Sequence, residues 1–210
     1  MLRANLGRFA AVVVLAGASP CALAELANPG FEDPITFDGP PFVGSWEGFS
    51  SGAGAEAANG TVMPRSGQQH LSLSIFNTDN AFAGAFQDVP GLTPGTTWTF
   101  SGWHKTTTDP LDLTPEIRIE WRDSVGNVEV GRTPNLIPTL TDVYEPFALS
   151  AMVPAGADTA RVVYAIQTFT PEPTNNGTVF VDDVSFIPAP GAAALALGGL
   201  ALGGLRRRRA

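Results

Sequence analysis

The sequence predicts an all-β protein, a jelly-roll β-sandwich, flanked by an apolar helical segment at each end. Three observations carry this. No stretch between the two ends keeps a helical hydrophobic period over about 11 residues. Short runs in which apolar and polar residues alternate recur there instead. Clusters of Gly, Pro, Asn and Asp separate those runs.

The runs follow in order. Leu71, Leu73 and Ile75 alternate with Ser72 and Ser74. Trp98 and Phe100 alternate with Thr97, Thr99 and Ser101, and Ile117, Ile119 and Trp121 with Arg118, Glu120 and Arg122. Phe147, Leu149, Ala151 and Val153 form a further apolar face, Val162, Tyr164 and Ile166 another, and the last run is Val179 to Phe186. Turn residues stand between them at Pro90-Gly91, Pro94-Gly95, Gly126-Asn127, Pro154-Ala155-Gly156 and Asn176-Gly177. An alternating strand buries one face and wets the other. Two stacked sheets bury all of these faces at once, with roughly eight or nine strands.

The two ends read differently. Arg3 and Arg8 begin a segment that continues as the apolar run Phe9 to Gly17 and ends at Ala22-Leu23-Ala24. This is the order of a secretory signal peptide, residues 1–24, cut before Glu25. At the other end, residues 188–210, Pro188-Ala189-Pro190 leads into the uncharged run Gly191 to Leu205 and then Arg206, Arg207, Arg208 and Arg209. The run is short for a spanning helix, which takes about 20 residues, and the arginines hold its end on the cytoplasmic side. This three-part order resembles the PEP-CTERM sorting signal of exported bacterial proteins. The resemblance covers Ile187 to Ala210 and departs from the family at Ala189, where the motif has Glu. It implies a transient membrane anchor and an exosortase-type enzyme acting near Pro188 to Pro190. The body then ends at the cell surface or outside the cell.

Between the ends, residues 25–187 are of single-domain size. All 20 acidic residues lie there, and the six basic residues set against them leave −14, a larger imbalance than the −8 of the whole chain. Such a surface excludes a nucleic-acid partner, since nothing neutralises phosphates. The one cysteine, Cys21, falls in the signal, so the body has no disulfide, thiolate metal site or cysteine nucleophile. His70 and His104 read as exposed or strand-edge residues. No H-E-x-x-H, P-loop, G-x-G-x-x-G or G-x-S-x-G pattern occurs. With so many carboxylates, the existence of a pair carries no information about hydrolysis, and the expectation is a protein that is not an enzyme.

The body opens on Asn28-Pro29-Gly30-Phe31-Glu32 and continues through Ser66-Gly67, Phe86-Gln87-Asp88-Val89-Pro90-Gly91-Leu92-Thr93-Pro94-Gly95 and Thr97-Trp98-Thr99-Phe100-Ser101-Gly102-Trp103. It passes Asp123-Ser124-Val125-Gly126-Asn127 and Val153-Pro154-Ala155-Gly156, and closes on Val179-Phe180-Val181-Asp182-Asp183-Val184-Ser185-Phe186. In order and spacing this resembles the carbohydrate-binding-module 4/9 type, a galactose-binding-like jelly roll, from Asn28 to Phe186. The resemblance implies a polysaccharide or exopolysaccharide partner. It also implies a structural calcium held by Glu32 and Asp182, with carbonyls near Ser66 and Gly67. Asp182 and Asp183 point to opposite faces of a strand. Asp182 is expected inside, on the face of Phe180, Val184 and Phe186.

Sugars stack their C–H faces on aromatic rings while polar side chains bond the hydroxyls. On one strand Trp103 shares its wet face with Thr99, Ser101 and Lys105, and the next strand offers Arg118, Glu120 and Arg122, with Arg161 and Gln167 on a third. The expected glycan site is Trp103, Arg118, Glu120, Arg122 and Gln167. Trp46, in a Gly/Ser-rich loop, either covers the core or lines a groove. The sequence therefore reads as an exported, C-terminally sorted surface or matrix protein with a glycan-binding sandwich. Its alternative is a structural envelope or biofilm-matrix protein that binds no sugar.

Overall fold

The computed structural model describes residues 26–42, 44–170 and 172–189. The expected signal peptide, Pro190 and Arg206 to Arg209 lie outside the described residues. Among the described residues no helix is long and apolar enough to cross a membrane.

Ten strands run in chain order: β1 (Glu47–Ser50), β2 (Ala55–Gly60), β3 (His70–Ile75), β4 (Phe82–Pro90), β5 (Thr97–Thr106), β6 (Thr114–Asp123), β7 (Val128–Arg132), β8 (Glu145–Met152), β9 (Thr159–Gln167) and β10 (Gly177–Pro188). They form two antiparallel five-stranded sheets, ordered β1-β4-β9-β6-β7 and β2-β3-β10-β5-β8. The alternating runs of the sequence account for six of the ten; β1, β2 and β7 are too short or too polar to show an alternating apolar face, and β4 turns only small residues to the core.

The core lies between the sheets. Leu71, Leu73 and Ile75 of β3 face Ile117 and Ile119 of β6 and Val162, Tyr164 and Ile166 of β9, all at most 1% exposed. Each such side chain stabilises the fold by about 1.5–3 kcal/mol. A polar contact crosses this layer. His104 Nδ1 of β5 and the Tyr164 hydroxyl of β9 are 2.8 Å apart, which joins the two sheets. Both histidines are therefore buried rather than exposed or at a strand edge, His70 on the outer side of β3 and His104 in the core. Trp46 covers the core, with its Nε1 donating to the Asn28 carbonyl at 3.0 Å.

β4 reverses the usual use of an alternating strand. Its small residues Ala83 and Ala85 are fully buried and face the core, while Phe82 and Phe86 stand on the outside of the sheet, half-buried. β10 breaks its alternation as well. Between Asp182 and Ser185 its register against β5 shifts, with Asp183 in the left-handed region at φ 47°. A bulge of this kind re-aims the side chains that follow it. Asp182 is fully buried as expected, but for a different reason. It pairs beside Trp103 on the outer face, whereas Phe186 pairs with the core residue Phe100 beyond the bulge. What buries Asp182 is the β2–β3 connection, residues 61–69, folded over that face.

Candidate functional site: an aromatic trough on one sheet

The outer face of the β1-β4-β9-β6-β7 sheet carries a row of aromatic rings beside a row of charges. Register sets the rows. Phe49 of β1 lies opposite Gly84 of β4, which lies opposite Ala165 of β9, which lies opposite Glu116 of β6. One step along, Phe86 pairs with Val163 and Val163 with Arg118. Small or short side chains on β9 thus form a floor, aromatic rings one wall and β6 the other.

The aromatic wall is continuous. Ring centroids are 6.1 Å apart for Phe169 and Phe82, 6.2 Å for Phe82 and Phe49, 6.2 Å for Phe49 and Phe86, and 5.1 Å for Phe86 and Phe42. Gly84 makes the central ring possible. A Cβ there would overlap the tip of the Phe49 ring and lie 2.7 Å from the Tyr164 carbonyl oxygen. Phe169, just past β9, is 55% exposed, and its N–H donates to Gln167 Oε1 at 2.5 Å.

The polar wall is a network of paired charges. Arg118 donates to Glu120 Oε1 at 2.8 Å and lies 3.8 Å from Glu116. Arg122 reaches Glu120 at 3.3 Å, and Arg132 of β7 is held by Glu129 at 2.6 Å. The Arg132 guanidinium holds the Glu129 carboxyl below its ordinary range. Gln167 Nε2 donates to Glu116 Oε1 at 3.2 Å. The trough holds two hollows, about 250 Å³ and 190 Å³, and Phe49 and Arg118 line both. Planar donors and acceptors held in place beside apolar rings suit a ligand with hydroxyls on its edges and C–H groups on its faces.

Four of the five expected glycan residues, Arg118, Glu120, Arg122 and Gln167, share this face. Trp103 does not. It lies on β5 in the other sheet, on the opposite outside of the sandwich, because the connection after β5 crosses between sheets. The Arg65 guanidinium covers its ring at 3.9 Å. The sequence reading missed Phe42, Phe49, Phe82, Phe86 and Phe169. The available signal was Phe-Ala-Gly-Ala-Phe at 82–86, a strand whose small face suits a crowded core and so turns its rings outward.

Glu32 and Asp182 flank Gly30 at a second place, where the segment of residues 28–32 joins β10. Asp182 Oδ2 accepts the N–H groups of Arg65 at 2.8 Å and Ser66 at 3.2 Å, and Glu32 accepts those of Gln68 at 2.9 Å and Gln69 at 3.3 Å. Asp183 pairs with Arg65 and takes the Ser66 hydroxyl at 2.6 Å. Burial pushes the Asp182 carboxyl above its ordinary range. The carboxylate donors are of the kind calcium takes. The Ser66 backbone meets Asp182 through its N–H. Among the described residues no three His, Cys, Asp or Glu side chains are grouped as metal ligands.

Comparison with known structures places the fold. The CBM22-1 xylan-binding domain of Paenibacillus barcinonensis Xyn10C superposes with a TM-score of 0.50 at 14% identity, over 78% of this chain and 93% of that one. A CBM4 module gives 0.50 at 19% identity, over 78% and 99%. This chain shares its β-sandwich fold with these carbohydrate-binding modules. The enzymatically active domain of bacteriophage CBA120 tailspike protein 4 also matches, with a TM-score of 0.55 at 18% identity over 69% of this chain. This chain spans only 19% of that one. Neither a family model nor a curated protein matches the sequence.

Proposed function

We propose that this domain binds a polysaccharide chain in the trough of the β1-β4-β9-β6-β7 sheet and does not cleave it. The observation that carries the reading is the row of phenylalanine rings facing the Arg118–Glu120 rail across the narrow floor of Val163 and Ala165. A row, rather than a single ring in a pocket, suits a chain-like ligand. The arginines of the rail are matched by carboxylates. An uncharged glycan therefore fits better than an acidic one, which would meet no unpaired cation there among the described residues. The same pairing leaves Glu116 and Glu120 engaged rather than poised as an acid–base pair. Export and C-terminal sorting by an exosortase-type enzyme belong to this proposal. Their support is the order of charges, apolar runs and Pro-Ala-Pro at the chain ends.

Affinity electrophoresis of residues 25–189 through gels of xylan, β-glucan, galactan and alginate tests the binding. Retardation by a neutral polysaccharide, lost in Phe49→Ala, supports the reading. Unchanged mobility of the folded domain in every gel would move the assignment to a structural matrix protein without sugar binding.

A calcium ion at Glu32 and Asp182 is a separate proposal. Its support is the full burial of Asp182 and the excess of three carboxylates over the one guanidinium of Arg65. Binding requires these carboxylates to exchange N–H partners for the ion.

A further inference from the structure

The aromatic wall is not equally available along its length. Phe86 pairs with Val163 of β9, and the next outward residue of β9 toward the strand start is Arg161. Its guanidinium carbon lies 3.9 Å from the Phe86 ring centroid and 5.0 Å from that of Phe42. β9 forms the floor of the trough, and Arg161 lines the same hollow as the Phe86 ring it lies against. It is fixed there. Arg161 Nε and a terminal guanidinium nitrogen donate to the two oxygens of Asp88 on β4 at 2.7 and 2.8 Å. This bidentate fork is the geometry that positions a guanidinium most firmly. Arg161 lines the smaller hollow together with Phe49, Phe86 and Arg118. At the other end Phe82 and the exposed Phe169 line the larger hollow, and among the described residues no cation lies over either ring.

We propose that the Arg161–Asp88 clamp is a length-selecting stop. It closes one end of the trough by occupying Phe86 and Phe42, and it leaves Phe49, Phe82 and Phe169 as the working platform. The inference rests on the polysaccharide reading above and deepens it. The trough engages a short run of about three sugar rings, one for each free phenylalanine. The chain continues out past Phe169 and not past Arg161. Arg161 is on this account a specificity-determining residue, and its ionic bond to Asp88 is what holds the stop in place.

The test is titration calorimetry of the unmodified domain and of Arg161→Ala with cello-, xylo- and galacto-oligosaccharides, from disaccharide to hexasaccharide. Arg161→Lys is run beside them. It keeps a cation for Asp88 but lacks the planar fork that covers the ring, and it covers the case in which the alanine variant fails to fold. Affinity of the unmodified domain should rise with length and level off by the tetrasaccharide. In the variants it should go on rising, with the hexasaccharide gaining about fivefold over the tetrasaccharide as the uncovered Phe86 ring joins the platform. Affinity that climbs to the hexasaccharide in the unmodified domain, or a length profile identical in all three proteins, overturns the stop and leaves the polysaccharide reading standing. No binding of any oligosaccharide or parent polysaccharide by any of the proteins overturns both.

Discussion

The Phe49 ring packs over Gly84, on the neighbouring strand, and occupies the space that any larger residue at 84 would fill. This contact puts an aromatic ring at the centre of the trough, where it lines both hollows. Gly84→Ala should displace that ring and also press on the Tyr164 carbonyl. The expected cost is about 1–3 kcal/mol by urea denaturation, together with weaker binding to the retarding polysaccharide. A variant as stable and as strongly retarded as the unmodified domain would show that the ring does not depend on Gly84.

Phe49→Ala, in contrast, removes a half-buried ring from the outer face and leaves the core intact. Its effect should fall on binding, with a loss of about tenfold in the gels, and its denaturation midpoint should move little.

Trp103 stands on the other side of the sandwich under Arg65. Trp103→Ala should therefore leave polysaccharide retardation unchanged and lower the melting temperature, because Arg65 loses its platform beside Asp183. Lost retardation in a folded Trp103→Ala domain would return the glycan site to that sheet.

Acid should loosen the fold through its two histidines. Burial, with Lys105 nearby as a lesser cause, lowers His70 to about 4, and burial alone lowers His104 to about 4. The unfolded chain takes up these protons near pH 6.5, whereas the folded chain refuses them until about pH 4. Stability is then full above pH 6.5 and falls as pH drops toward 4, by up to about 3 kcal/mol for each histidine. Asp182, held above its ordinary range by burial, acts in the opposite sense and recovers part of the loss where it protonates. Urea midpoints between pH 4 and pH 7.5 measure the slope, and a flat profile would contradict the burial of both rings.

The calcium proposal predicts a higher melting temperature on adding calcium, reversed by chelator and absent in Glu32→Gln. Equal melting curves in all conditions would mean that the N–H bonds to Glu32 and Asp182 hold the β2–β3 connection in place without an ion.

The sequence by itself determined the all-β class, six of the ten strands and the turns in four of the nine connections between them. Period-two alternation of large apolar with polar residues is local and needs no partner to be read. Ile117, Ile119 and Trp121 announce their buried face, and Gly126-Asn127 takes the positive φ its turn requires. Arg118, Glu120, Arg122 and Gln167 were legible as a polar face for the same reason. Only the tertiary structure decided which sheet each strand joined, and this separated Trp103 from those four residues. Pairing partners are set by how two whole sheets stack, a non-local choice that no short window contains. The same is true of β4. Phe82 and Phe86 face outward because the core opposite Ala83 and Ala85 is already filled by residues from distant strands, and a packed interior leaves no room for two more rings.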